Sequence, residues 1–285
     1  MEILDSTVAD VVAVAALPSA ERTSAWERVE AAHADTFGAY YGMYGDPSRR
    51  DDAIASLDSL APQLEERAAA MTAALASAEK ALRELGFLPL GYDVSIALLV
   101  GVGASDAWVT LHHGGPALFC ALEQIEPERA DVLAAHEMTH VAHLLAVGEA
   151  LADRPELEAS AGMLSWAEGV AVVASERVAP RRPEREYLMV PDDDWAARCE
   201  AALPELRAAL GVDPLHPDEG LLVATWAAGG ATAAGSPWPD RVGYWLGRQA
   251  VTAALADGLT LPEVLALSPE GIAERLTAAL TACSR

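Results

Sequence analysis

Five residues constrain this chain more than any others: His136-Glu137-Met138-Thr139-His140. They read H-E-x-x-H and lie within Glu128 to Val147, where Ala134, Ala135, Val141, Leu144 and Leu145 give a half-buried helical pattern. Residues four apart on a helix sit one turn above each other, so both imidazoles point the same way. Two such nitrogens suit one zinc ion, and Glu137 stands beside them as an acceptor for a proton from water. With seven histidines in 285 residues, the pattern arises by accident in about one comparable chain in a hundred. Without a metal, the same segment reads as a core helix carrying incidental histidines.

A zinc site with two histidines needs one more protein group beside water. Downstream, Leu164-Ser165-Trp166-Ala167-Glu168-Gly169-Val170-Ala171-Val172-Val173 is an apolar segment with one acid in its middle. A carboxylate among Val, Ala and Trp is costly to bury unless a cation compensates it, and zinc would serve. The 28 positions from His140 to Glu168 allow the first helix to end near Gly148 and a second to return. The competing reading of Glu168 is a surface-facing acid on an amphipathic helix. A third histidine in the H-E-x-x-H-x-x-G-x-x-H pattern is excluded, because those positions hold His143 and Ala146.

H-E-M-T-H followed by W-A-E-G-V-A resembles the gluzincin arrangement of thermolysin-like metallopeptidases. Asp240-Arg241-Val242-Gly243-Tyr244-Trp245-Leu246-Gly247 resembles the R-x-G-Y-x-x-G segment of a bacterial family of predicted zinc-dependent proteases. The likeness spans about residues 89 to 255 by motif order. It implies His136, His140 and Glu168 as zinc ligands and Glu137 as general base. One position departs from the pattern. Thermolysin-like enzymes carry an Asp soon after the glutamate ligand to orient a histidine, and here the residue four on is Val172.

Two further residues belong to the expected site. Tyr244 is the candidate for stabilising the transition state, since a phenol keeps its proton at neutral pH and donates to an oxyanion. The alternative is a tyrosine that anchors the C-terminal helices. Arg241 is read as a surface ion pair or as an orienting group for a carboxylate.

Charge excludes one class of partner. Lys and Arg total 19 against 43 acids, a net charge of -24, which repels nucleic acid and leaves a basic partner or peptide substrate open. The acidic residues Glu2, Asp5 and Asp10 before Val11 to Leu17 do not suit a secretory signal. No apolar run reaches the ~18 residues that span a bilayer, so no membrane partner is expected. Cys120, Cys199 and Cys283 are odd in number and far apart, which predicts reduced thiols and a cytoplasmic setting. Cys120 is expected in the core.

The N-terminal region, 1–88, reads as helical: Ser19 to about Tyr40, with His33 on a surface or packed, and Leu60 to Leu85, ended by Gly86. Tyr40-Tyr41-Gly42-Met43-Tyr44-Gly45 reads as a packed turn or a pocket lining. Residues 89–285 form the expected metallopeptidase region. Three strands are predicted, Tyr92 to Val102, Ala107 to Leu111 and Ala117 to Leu122, the second closed by His112-His113. Gly101 and Gly103 lack the Lys-Ser/Thr of a phosphate loop. His143 reads as packed beside the site.

After a break at Ala179 to Pro183, helices are predicted over Asp194 to Leu210, Glu219 to Ala228, Asp240 to Ala256 and Pro269 to Ala282. Pro191 to Asp194 is a helix-start signal, and Gly229 to Pro237 is a loop over the cleft or a connector.

The expected fold class is α+β and zincin-like, mostly helical with a small sheet preceding the H-E-x-x-H helix. The expected function is that of a zinc-dependent metallohydrolase acting on peptide or protein substrates. Its alternative is a non-catalytic acidic helical protein that binds a partner, with a structural metal or none.

Overall fold

The computed structural model of the protein describes residues 1–190, 192–211 and 213–282. Pro191, the first residue of the expected helix-start signal, and Cys283 lie outside the described residues. The chain is mostly helical with one four-stranded sheet, an α+β composition. Packing divides it into two compact units: Met1–Lys80 with Leu90–Val141, and Ala81–Pro89 with Ala142–Arg285.

The first unit begins with strand β1 (Glu2–Ser6) and helices α1 (Val8–Ala15), α2 (Ser19–Ala32), α3 (Ala34–Met43) and α4 (Arg50–Glu84), the last belonging to it as far as Lys80. Strands β2 (Ser95–Leu99), β3 (Ala107–His112) and β4 (Gly115–Ala121) follow, then α5 (Ala130–Ala152), which belongs to this unit as far as Val141. The sheet order is β1-β2-β4-β3, with β1 and β4 parallel to β2 and β3 antiparallel to β4. β4 is interior and its residues Pro116 to Ala121 are all buried. A hairpin at His113 (φ 50°) and Gly114 (φ 86°) reverses the chain between β3 and β4, with both central residues left-handed as a two-residue turn requires. Trp108 of β3 pairs with Phe119 of β4, and their rings stack at 5.2 Å. Tyr40 of α3 covers Trp108 at 5.4 Å.

The tyrosine cluster is therefore packing. The Tyr40 hydroxyl accepts from the Val102 amide at 3.0 Å, and the Glu123 carboxylate accepts from the Gly101 and Gly103 amides at 2.8 and 3.0 Å. The loop amides that a phosphate would need are thus already engaged.

The predicted helix from Ser19 to Tyr40 is interrupted at His33 (φ -113°, ψ 41°), which separates α2 from α3. Its ring nitrogens meet Asp5 at 2.7 Å and Asp10 at 2.8 Å, tying the junction to β1 and α1. Burial lowers the His33 pKa, but the hydrogen bonds its ring donates to the Asp10 and Asp5 carboxylates, with their charges, outweigh it and leave it raised. A raised folded-state pKa means the stabilisation is complete below the unfolded value near 6.5 and is lost as pH rises through the folded value. Wild type should therefore lose urea resistance as pH rises from about 6.5 through the raised folded value. His33→Gln should be less stable at low pH and show a flatter profile. Equal slopes in the two proteins would remove His33 from the account.

The second unit is built on α6 (Ala161–Val178), capped by Ser160, whose hydroxyl accepts from the Met163 amide at 3.2 Å. Helices α7 (Glu184–Tyr187), α8 (Trp195–Ala201), α9 (Leu203–Leu210), α10 (Glu219–Trp226), α11 (Gly230–Ala233), α12 (Val242–Ala256), α13 (Leu261–Leu265) and α14 (Pro269–Ala282) follow. α7, α10, α12 and α14 all touch α6, which is buried at nearly every position from Ala161 to Ser175. The α6–α12 contact is the closest. A Cβ added to Gly247 would overlap the Ser165 carbonyl oxygen and stand 3.0 Å from the Gly169 Cα. Ser165 and Gly169 on one helix thus meet Gly243 and Gly247 on the other, small residues four apart on both. Among the described residues, no helix is long and apolar enough to cross a membrane.

Candidate metal centre

β4 leads through a short turn, Pro127–Arg129, into α5, and this connection sets where the H-E-x-x-H residues lie. Asp131 in the first turn and a run of Ala and Leu favour the helix there. The helix continues through the expected stop at Gly148 to Ala152, because an isolated glycine costs only about 1 kcal/mol and does not end a helix. Residues Val132 to Thr139 are all buried. Met138 is fully enclosed, and the Thr139 hydroxyl donates to the Ala135 carbonyl at 2.7 Å.

His136 and His140 come together one turn apart. Their Nε2 atoms lie 3.1 Å from each other, with the rings nearly perpendicular at 77°. Two nitrogens held by one tetrahedral zinc at about 2.0–2.1 Å stand about 3.3 Å apart, so the pair already has the spacing of two ligands on one ion. Glu137 completes the group: one ligand atom from each of the three residues lies within 4.8 Å of the others. His136 is 1% exposed and Glu137 7%, while His140 is half-buried. Two imidazoles and a carboxylate are a donor set that suits zinc and neighbouring transition metals.

Cys120 on β4 is fully buried, as expected of a core residue. Burial, and then the charge of Glu137, push its thiol well above the ordinary value. It stays a neutral thiol and is a poor metal ligand in that form.

The other expected site residues lie in the second unit. Glu168 is 4% exposed on α6, which removes the surface-facing reading. Its Oε1 accepts a hydrogen bond from the Trp226 indole Nε1 at 3.0 Å. Tyr244 is 6% exposed on α12, beneath the Arg241 guanidinium, which lies 5.6 Å from the ring centroid. Arg241 donates to the Met189 carbonyl at 3.1 Å and so organises backbone. The segment from Gly229 to Pro237 contains α11, and Asp240 Oδ1 accepts from the Ala231 amide at 2.9 Å.

Of the remaining histidines, His143 is buried, His113 is largely exposed, and the His112 ring lies beside it, tilted by 54° with centroids 3.9 Å apart. Burial, followed by the charge of His113, lowers the pKa of His112.

No family description, curated protein or solved structure matches this chain. The residues themselves therefore carry the functional reading.

Proposed function

We propose that this protein is a zinc-dependent metallohydrolase of zincin-like type, acting on peptide bonds. The observation that carries the reading is the 3.1 Å separation of the His136 and His140 Nε2 atoms, with the Glu137 carboxylate grouped beside them. His136 and His140 would hold the metal. The third ligand is assigned from the sequence to Glu168, supported by the near-complete burial of that carboxylate.

When bound, zinc supplies Lewis acidity toward a carbonyl and makes an adjacent water more acidic. Glu137 takes the proton from the attacking water and delivers it to the leaving amine, a transfer that a carboxylate performs in both directions. Tyr244 is proposed to donate its phenolic O–H to the oxyanion that develops on the attacked carbonyl. A reducing, cytoplasmic setting accords with the free, buried Cys120 and Cys199.

Zinc content tests the centre. Wild type should hold about one zinc per chain, and His140→Ala and Glu168→Ala should lose it or bind it far more weakly. Absence of zinc from wild type after dialysis against it would favour the acidic partner-binding protein. Full retention in Glu168→Ala would move the third ligand elsewhere, with His143 the next residue to replace.

A further inference from the structure

We infer that Trp226 is a positioning residue: its indole N–H fixes the Glu168 carboxylate in the orientation in which that group takes a metal. The inference rests on the reading of Glu168 as a ligand and adds the residue that orients it. Trp226 closes α10, and its Nε1 lies 3.0 Å from Glu168 Oε1 across 58 positions of sequence.

The helix that carries the donor is anchored at both ends. Asp218 caps the start of α10, its carboxylate accepting from the Leu221 amide at 2.9 Å. Thr225, the residue before Trp226, is 2% exposed, and its carbonyl oxygen lies 3.0 Å from where a Cβ on Gly243 would stand. Glycine at 243 lets α12 approach the end of α10 that closely. Two ordered helices therefore aim the indole, and α6 presents the carboxylate to it.

The chemistry of the donor is informative. An indole N–H donates and never accepts, so the bond has one polarity. It is also neutral. A Lys or Arg at this place would orient Glu168 and cancel its charge. Trp226 orients it without bringing a positive charge of its own. Partners that hold a ligating carboxylate by hydrogen bonds set both its direction and its affinity, and their loss typically weakens metal binding about 10–100-fold.

The test uses the full chain labelled with 15N. The Trp226 indole cross-peak is assigned by its absence from Trp226→Phe, a variant that keeps an aromatic ring and removes the N–H. Addition of zinc chloride should shift that cross-peak in wild type. Trp226→Phe should bind zinc about 10-fold or more weakly in competition with a chelator, and its metal-free urea midpoint should fall as well, because a buried carboxylate loses a donor. A merely structural tryptophan would move the midpoint alone, with no zinc-induced shift in wild type and no loss of zinc affinity in the variant.

Zinc affinity lost in Glu168→Ala but intact in Trp226→Phe, with no indole shift in wild type, would overturn the inference and keep Glu168 as ligand. Zinc binding indifferent to Glu168→Ala would overturn the ligand reading and the role of Trp226 with it. The wild-type shift decides the matter even where Trp226→Phe folds poorly, because Glu168→Ala identifies the same cross-peak by displacing it in metal-free protein.

Discussion

Glu137→Gln is expected to bind zinc as wild type does and to hydrolyse peptides about 10³-fold more slowly. The substitution keeps the size of the side chain and one carbonyl oxygen, so the buried position on α5 accepts it without repacking. What it removes is basicity. An amide does not take a proton from water near neutral pH, and it has none to hand on to a leaving amine, so both halves of the transfer fail together. His136 and His140 are untouched, and their 3.1 Å spacing is a property of the helix turn, so metal content should hold. The measurement pairs turnover of a fluorogenic peptide library with zinc analysis of the same sample. Turnover in Glu137→Gln within a few fold of wild type, at full zinc content, would strike Glu137 as the base. Loss of zinc together with activity would make Glu137 a ligand and require a different acceptor.

The part of this site legible in sequence is the part built by one helix. H-E-x-x-H encodes its own geometry, because a 3.6-residue repeat stacks positions 136 and 140 wherever the helix forms. The hairpin strands β3 and β4 and the final helix α14 were legible for similar reasons of local pattern. β1 was not. Glu2–Ser6 is five residues long, almost wholly exposed, and carries two acids, so it lacks the alternation that marks a half-buried strand. Its pairing with β2, some ninety positions away, creates it. The break at His33 was invisible too, since the apolar spacing runs through it and the contacts that hold its ring come from Asp5 and Asp10. Trp226 is the extreme case. Nothing in the sequence near Glu168 points to a donor 58 residues on, and only the packing of α10 against α6 brings the two together.

The glycines of the E-G-x-A and G-Y-x-x-G segments teach a related lesson: in the fold they are contact points between helices. Gly247→Ala is expected to destabilise the protein by about 4 kcal/mol or more, a large share of the roughly 5–15 kcal/mol that holds a domain of ordinary stability. The new methyl carbon would occupy the space of the Ser165 carbonyl oxygen, which is backbone of α6 and cannot rotate away. The helices must separate. Separation exposes or loosens Trp166, Val170 and Val173, which are at most 3% exposed, and the cost of overpacking is added to lost burial. Gly169→Ala should behave alike, because its Cβ would meet the backbone of Gly247.

Gly148→Ala supplies the control. That glycine lies inside α5 with nothing within 4 Å of an added Cβ and no left-handed backbone, so alanine there should be neutral or stabilise by up to about 1 kcal/mol. Urea melts of the three variants separate the causes. A midpoint for Gly247→Ala close to that of Gly148→Ala would mean that α6 and α12 are not in backbone contact. Because Glu168 precedes Gly169 and Tyr244 follows Gly243, the same contact sets how both side chains are presented. Sub-denaturing damage at Gly247 should therefore lower zinc affinity before the protein unfolds.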